Sequence, residues 1–149
     1  MLSAKCRYGL KAMVYITRHS TARPVLIAEI AEAERIPKKF LDVILLELKT
    51  NGLLTSKKGK GGGYQLAREA KKIAVADAMR ILDGPLAPVP CVSKLRYRPC
   101  DDCRDESACI IRPVMQEVRD AMALILENTT LVDMSNSAPA AKPVLMFDI

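Results

Sequence analysis

A mainly α chain with one small β-hairpin is the fold class this sequence predicts. Three observations carry the prediction. Apolar residues recur at helical spacing in successive windows. A Lys- and Gly-rich turn sits between two short strand-like runs. The core formers are aliphatic and methionine rather than aromatic, with no Trp and 4% aromatic residues overall, which suits helix packing.

The elements follow in order. In 5–19, Cys6, Leu10, Met13 and Thr17 share one helical face with Val14 beside it, while Lys5, Arg7, Lys11 and Arg18 fall mostly elsewhere. This is an amphipathic helix. A polar connector runs to Pro24. Residues 25–35 read as a short second helix with Leu26, Ile30 and Ala33 toward the core. Ile36-Pro37 then breaks the pattern, because proline disfavours a helical conformation in the residue before it and is welcome at a helix start. A third helix over 38–51 follows, with Leu41, Ile44, Leu45 and Leu48 as its core face and Gly52 as its stop.

Residues 53–67 change period. Leu53-Leu54-Thr55 and Tyr64-Gln65-Leu66 are strand-like, and the tip between them holds Lys57, Lys58, Lys60 and four glycines. That is a hairpin with a basic tip. A fourth helix over 75–84 closes at Gly84-Pro85. Helix, helix, turn, helix and basic hairpin is the order of a winged helix-turn-helix.

Residues 83–108 contain Pro85, Pro88, Pro90 and Pro99 and little apolar periodicity. A loop this long in a compact domain is either disordered or stapled. From Ile110 the helical signal returns. Ile111, Met115, Val118, Met122 and Ile125 step by four and three, as in a heptad seam. Pro113 is tolerable only in a first turn, which fixes the start near Ile111. A single apolar stripe at the chain end needs a partner surface, so it reads as a dimerisation helix. The predicted organisation is a DNA-binding unit over 1–84, a cysteine-bearing loop over 85–109, a dimerisation helix over 110–135 and a mobile tail over 136–149.

Charge is divided unevenly. Residues 1–80 carry sixteen Lys and Arg against seven Asp and Glu, and residues 81–149 carry seven against ten, within a formal net charge of +6. A basic first half points to a polyanion as the partner of that half. No apolar run approaches the ~18 residues of a membrane span. The first residues lack the apolar core and cleavage site of a signal peptide. A cytoplasmic chain is expected, with no membrane partner. In that compartment thiols stay reduced, so clustered cysteines point to metal binding or redox sensing more than to structural disulfides.

The second helix of a helix-turn-helix enters the major groove by its N-terminal end. Here that end is Lys38, Lys39 and Phe40, with Asp42 one step on. Lysine reaches guanine acceptors or phosphates, and Asp42 accepts from a cytosine amino group or orients a neighbouring lysine. Lys57, Lys58 and Lys60 on the glycine-rich tip suit phosphate tracking or a minor-groove visit. Lys5 and Arg7 suit a phosphate clamp from the side. Each piece alone has an ordinary explanation as a solvated lysine or a simple turn. The weight lies in their order.

Four cysteines, Cys91, Cys100, Cys103 and Cys109, fall in the run CVSKLRYRPCDDCRDESAC. They supply a complete four-thiolate set, which suits an iron–sulfur cluster or tetrahedral zinc. A CxxC pair such as Cys100 and Cys103 is shared by clusters, zinc knuckles and dithiol switches, and spacing leaves these alternatives open. Arg96, Arg98, Arg104 and Arg112 favour thiolates, while Asp101, Asp102, Asp105 and Glu106 oppose them. Cys6 reads as a small core residue. The single His, His19, lies far along the chain from the cysteines.

The stretches KCRYGLKAM, LELKTNGLLTS and KGKGGGYQLA, with the downstream cysteines, resemble the Rrf2 family of bacterial winged-helix regulators, the family of IscR, NsrR and CymR. The resemblance covers about residues 1–132. It implies a homodimer that crosses long C-terminal helices and binds palindromic double-stranded DNA. It also implies, for many members, a [2Fe–2S] or [4Fe–4S] cluster on three cysteines and a further ligand. On that pattern Cys91 stands at the first ligand position, Cys103 and Cys109 at the last two, and Cys100 is an addition. The reading is therefore a homodimeric transcription regulator gated by an iron–sulfur cluster or by cysteine redox state, with zinc as the lesser cofactor candidate. Its rival is a non-regulatory iron–sulfur or zinc carrier, which the lysine-rich wing disfavours. An enzyme is not expected, since one His provides no nucleophile–His–acid set.

Overall fold

The computed structural model describes residues 2–137. The expected mobile tail therefore lies, beyond Ser137, outside the described residues. Helix α1 (Ala4–His19) is capped by Ser3, whose hydroxyl accepts from the Cys6 amide at 3.0 Å. Its buried face is Cys6, Gly9, Leu10, Ala12, Met13 and Ile16. Thr17, expected on that face, is only half-buried, and its hydroxyl donates back to the Met13 carbonyl at 2.8 Å. The helical turn carries Ile16 rather than Thr17 under the core.

Helix α2 (Ile27–Glu34) buries Ile30. It begins later than residues 25–35 suggest, because Val25 is held in an extended bridge. The Val25 amide donates to the Tyr64 carbonyl at 2.9 Å, and the Tyr64 amide donates to the Val25 carbonyl at 2.7 Å. Leu26 is left at the N-cap and is 48% exposed, and Ala33 is exposed as well, so neither joins the core. Arg35 turns the chain through a left-handed conformation (φ 53°) into Pro37. Helix α3 (Lys38–Thr50) buries Leu41, Ile44, Leu45 and Leu48, the four residues its periodicity selects.

Strands β1 (Leu54–Lys57) and β2 (Gly63–Leu66) pair antiparallel, with Leu54 opposite Leu66 and Lys57 opposite Gly63. The Val25 bridge extends this two-stranded wing toward α2. After a short 3₁₀ turn at Ala70–Lys72, helix α4 (Val75–Leu82) stops at Asp83, short of the expected Gly84. Asp83 accepts the Ser3 amide at 3.0 Å and so ties the end of α4 to the start of α1. Gly9 lets α1 and α4 approach: a Cβ there would stand 2.2 Å from Leu82 Cδ1.

Helix α5 (Arg112–Asn128) starts where Pro113 requires, but it does not run on to 135. Thr129 is extended, and Thr130 opens a separate helix α6 (Leu131–Asn136) through a capping box with Asp133. The break is fixed by backbone partners. The Val75 amide donates to the Thr129 carbonyl at 2.8 Å, and the Leu131 amide donates to the Ile73 carbonyl at 3.0 Å. Leu131 is fully buried in the core built by α1, α3 and α4. Helix α5 buries none of its own residues. Among the described residues no helix is long and apolar enough to cross a membrane.

Candidate nucleic-acid interface and cysteine cavity

The four buried residues of α3 define its inner face, so Lys39, Val43, Leu46 and Thr50 point away from the core at 100° per residue. Lys38, Asp42 and Lys49 flank that outer face on the side of the wing. Lys38, Lys49, Lys57 and Lys58 line one cleft of about 590 Å³ with Leu46 and Tyr64, between α2, α3 and the hairpin. The fold thus gathers lysines from two successive elements, α3 and the hairpin. Lys39 and Lys60 are exposed beside the cleft. Burial first, and then the Asp42 carboxylate, hold the Tyr64 phenol above its ordinary range.

The remaining candidates sit toward α1. Phe40 is exposed, with its ring centroid 6.5 Å from that of Tyr8. Arg7 is exposed on the neighbouring turn of α1. Lys5 does not stand free, because its Nζ is 2.5 Å from Glu47 Oε2 and so pins the start of α1 to α3. The wing keeps its place through Gly63, which takes φ +140° and passes so close to the bridge that a Cβ would lie 2.4 Å from the Val25 carbonyl oxygen.

The segment between α4 and α5 is held by local turns. A 3₁₀ turn at Pro90–Val92 buries Cys91. The Cys103 amide donates to the Cys100 carbonyl at 3.1 Å, and the Cys109 amide donates to the Glu106 carbonyl at 3.3 Å. Tyr97 hydrogen-bonds Glu106, whose other oxygen lies 3.7 Å from Arg112 Nε. These turns bring Cys91, Cys100, Cys103 and Cys109 onto the wall of one cavity of about 550 Å³, with Arg104 and Arg112 beside them. All four cysteines are free thiols.

The electrostatics oppose spontaneous ionisation. A hydrogen bond with the Cys91 thiol, and then burial, push the Cys100 thiol up. Burial, followed by Cys109 and Glu106, does the same to Cys103. The nearby arginines therefore do not set the balance at these two positions. Cys6 lies elsewhere, fully buried, and burial followed by the Asp83 charge pushes its thiol up to about 12. His19 stacks on Tyr15 at 4.0 Å, away from the cavity.

The residues fit a thiolate-bound ion or cluster in kind and number. Arg112 Nε is buried at the cavity wall without a hydrogen bond, and its charge is faced by the Glu106 carboxylate 3.7 Å away. As the side chains stand, no three His, Cys, Asp or Glu groups among the described residues close on one point. Ligation would need the thiols to draw closer together. The burial of Arg112 Nε at that wall has no signature in the sequence. Nor does the Arg119 guanidinium, which donates to the Val92 carbonyl at 2.7 Å from 27 residues away. The outward pair Val43 and Leu46 was legible on the helical wheel of α3, once its core face was assigned.

Comparison with known proteins places this geometry. The sequence model of the Rrf2 family, described as an iron-dependent transcriptional regulator, matches residues 2–137. An rrf2-like HTH-type transcriptional regulator of Rhodobacter capsulatus is 40% identical over 95% of this chain and 97% of its own length. The HTH-type transcriptional regulator IscR of Escherichia coli is 30% identical over 91% of this chain and 80% of its own. Among solved structures, CymR, the global cysteine regulator of B. subtilis, superposes with a TM-score of 0.77 at 30% identity, covering 93% of this chain and 98% of that one. IscR of T. potens superposes with a TM-score of 0.71 at 29% identity, covering 90% and 85%. A winged helix bearing a lysine-lined cleft, matched along nearly its whole length by transcriptional regulators, is a member of the Rrf2 family of DNA-binding transcriptional regulators.

Proposed function

We propose that this chain acts as a homodimer on palindromic double-stranded DNA, and that an iron–sulfur centre on Cys91, Cys100, Cys103 and Cys109 sets its affinity for that DNA. The observation that carries the reading is the shared cavity: four thiols from one run of the chain, Cys91 to Cys109, line one wall at the foot of α5. Lys38 and Lys39 enter the major groove at the start of α3, Asp42 orients or reads beside them, and Phe40 braces the entry against Tyr8. Lys57, Lys58 and Lys60 follow phosphates from the wing, and Arg7 reaches the backbone from α1, with Lys5 anchoring that helix.

Pairing is proposed along α5. Ile111, Val114, Val118 and Ile125 are exposed apolar residues at heptad spacing, with Ala121 between them. Met115 and Met122, expected on the seam, are half-buried toward the rest of the chain, so the stripe runs through Val114 and Ala121 instead. When bound, the centre would supply a redox-sensitive crosslink from Cys91 to Cys109. The chain's own contribution is to hold those thiols against the base of the pairing helix, so that the state of the loop bears on the separation of two readers.

The test is oxygen-free purification with iron and sulfide assay, followed by binding to a palindromic duplex before and after removal of iron. Bound iron and sulfide, lost when Cys91, Cys103 and Cys109 are replaced by Ser, together with a change in duplex affinity, is the expected result. Stoichiometric zinc, or the same affinity in both forms, overturns the gating. A thiol–disulfide switch is the second reading, favoured by Cys100 and Cys91 sharing one cavity wall, with Cys91 the largest influence on the Cys100 thiol. It predicts that one equivalent of peroxide converts these two thiols to a disulfide and releases two waters, in protein free of iron.

A further inference from the structure

The outer face of α3 carries an apolar pair that the core does not use. Val43 is 62% exposed and Leu46 is 56% exposed, one helical turn apart. Lys39 stands one turn before Val43 on the same side, and Asp42 and Lys38 stand beside it. Around them Lys38, Lys49, Lys57 and Lys58 line the basic cleft. A surface that is apolar at its centre and cationic at its rim is complementary to one occupant in particular, a duplex major groove. There phosphates lie at the edges, and the only apolar group on the floor is the thymine C5 methyl.

We propose that Val43, supported by Leu46, is a specificity-determining residue that packs on a thymine methyl in each half-site. The inference rests on the reading of this chain as a DNA-binding dimer and extends it to the base that the apolar pair selects. Val43 has no hydrogen-bonding atom beyond Cβ, so it cannot distinguish bases by donor and acceptor pattern. It discriminates by burying the methyl and by leaving the exocyclic amino group of a cytosine at the same place without a partner. Lys39 and Asp42 carry polar readout on either side.

The experiment enriches duplexes from a random-sequence pool with the full chain. Each thymine of the enriched half-site is then replaced by deoxyuridine, which lacks only the methyl. Loss of one buried methyl should weaken binding about fourfold per half-site, and roughly fifteenfold when both half-sites are changed. The loss is expected at one or two adjacent positions and not at the others. Val43→Ala should bind the thymine duplex more weakly and reduce the deoxyuridine penalty at that position to below about twofold. Because Val43 is mostly outside the core, this variant keeps the fold, and Leu46→Ala provides a second variant with a smaller effect at the neighbouring position.

Three outcomes overturn the inference while leaving DNA binding intact. They are enriched half-sites without an invariant thymine, deoxyuridine tolerated at every position, or the same penalty in Val43→Ala as in the parent. Failure to enrich any sequence removes the DNA-binding reading and the inference with it.

Discussion

Gly63 shows how tightly one residue can be specified. Its φ of +140° is unfavourable for any L side chain, and the atom a Cβ would strike is the Val25 carbonyl oxygen, part of a backbone that cannot swing away. Gly63→Ala is therefore expected to cost about 2 kcal/mol or more and to loosen the wing. Urea denaturation and hydrogen exchange at the Val25 and Tyr64 amides would detect it, and unchanged protection at both would contradict it. Gly9 makes a different case, because the obstacle there is the mobile end of Leu82. Cys6 supplies a pH prediction. Its thiol titrates near 12 in the folded chain against an ordinary 9.0, so the folded state keeps a proton that the unfolded state releases. Its contribution to stability is complete below about pH 9 and is lost as pH rises toward 12. The melting temperature of Cys6→Ala, followed from pH 8 upward, should fall less steeply than that of the parent, and parallel curves would refute this.

At the scale of elements, legibility followed the strength of the local period. Leu41, Ile44, Leu45 and Leu48 on α3 needed only the wheel, because a buried helix face is fixed by its own spacing. Helix α2 starts later than its periodicity suggests because Val25 answers to Tyr64, some forty residues away, and a bridge between distant backbones leaves no local pattern. The break between α5 and α6 was hidden for a similar reason, although Thr130 with Asp133 is a capping signature that could have marked it. The cysteine cavity is legible as a set of ligand types, but not as a shape, since its cysteines are placed by three separate turns. The α6 boundary can be tested directly. Thr130→Ala removes the hydroxyl that accepts from the Asp133 amide at 3.2 Å and should cost about 1 kcal/mol. Exchange should rise first at α6 and at Leu131, ahead of α3, in native-state hydrogen exchange. Uniform loss across all helices would mean that α6 is not a separable unit.

At the scale of the whole molecule, the proposed seam and the cysteine cavity meet at the start of α5, where Ile111 belongs to the first and lines the second. Replacing Val118 or Ile125 with Glu would place charge on the proposed seam, and sedimentation should then show a monomer with helix content unchanged. A dimer of undiminished strength in both variants would exclude α5 as the pairing surface. The route from cavity to seam runs through Arg119. Its side chain is mostly enclosed, and its Nη1 donates at 2.7 Å to the carbonyl of Val92, the residue after Cys91. Its other contact, Asp120 at 2.7 Å, is itself reached by Lys94 at 3.4 Å. The segment that leaves the first cysteine is thus bonded twice, at Val92 and at Lys94, to the helix proposed to set reader spacing. Coupling between two sites typically changes affinity by about 5- to 150-fold. If it passes through this bond, Arg119→Met, which keeps the aliphatic stem and removes the donor, should hold iron and remain dimeric while the affinity ratio of loaded to stripped protein falls below about threefold. Titrating both forms of parent and variant against one duplex measures that ratio. An unchanged ratio would place the coupling elsewhere along α5.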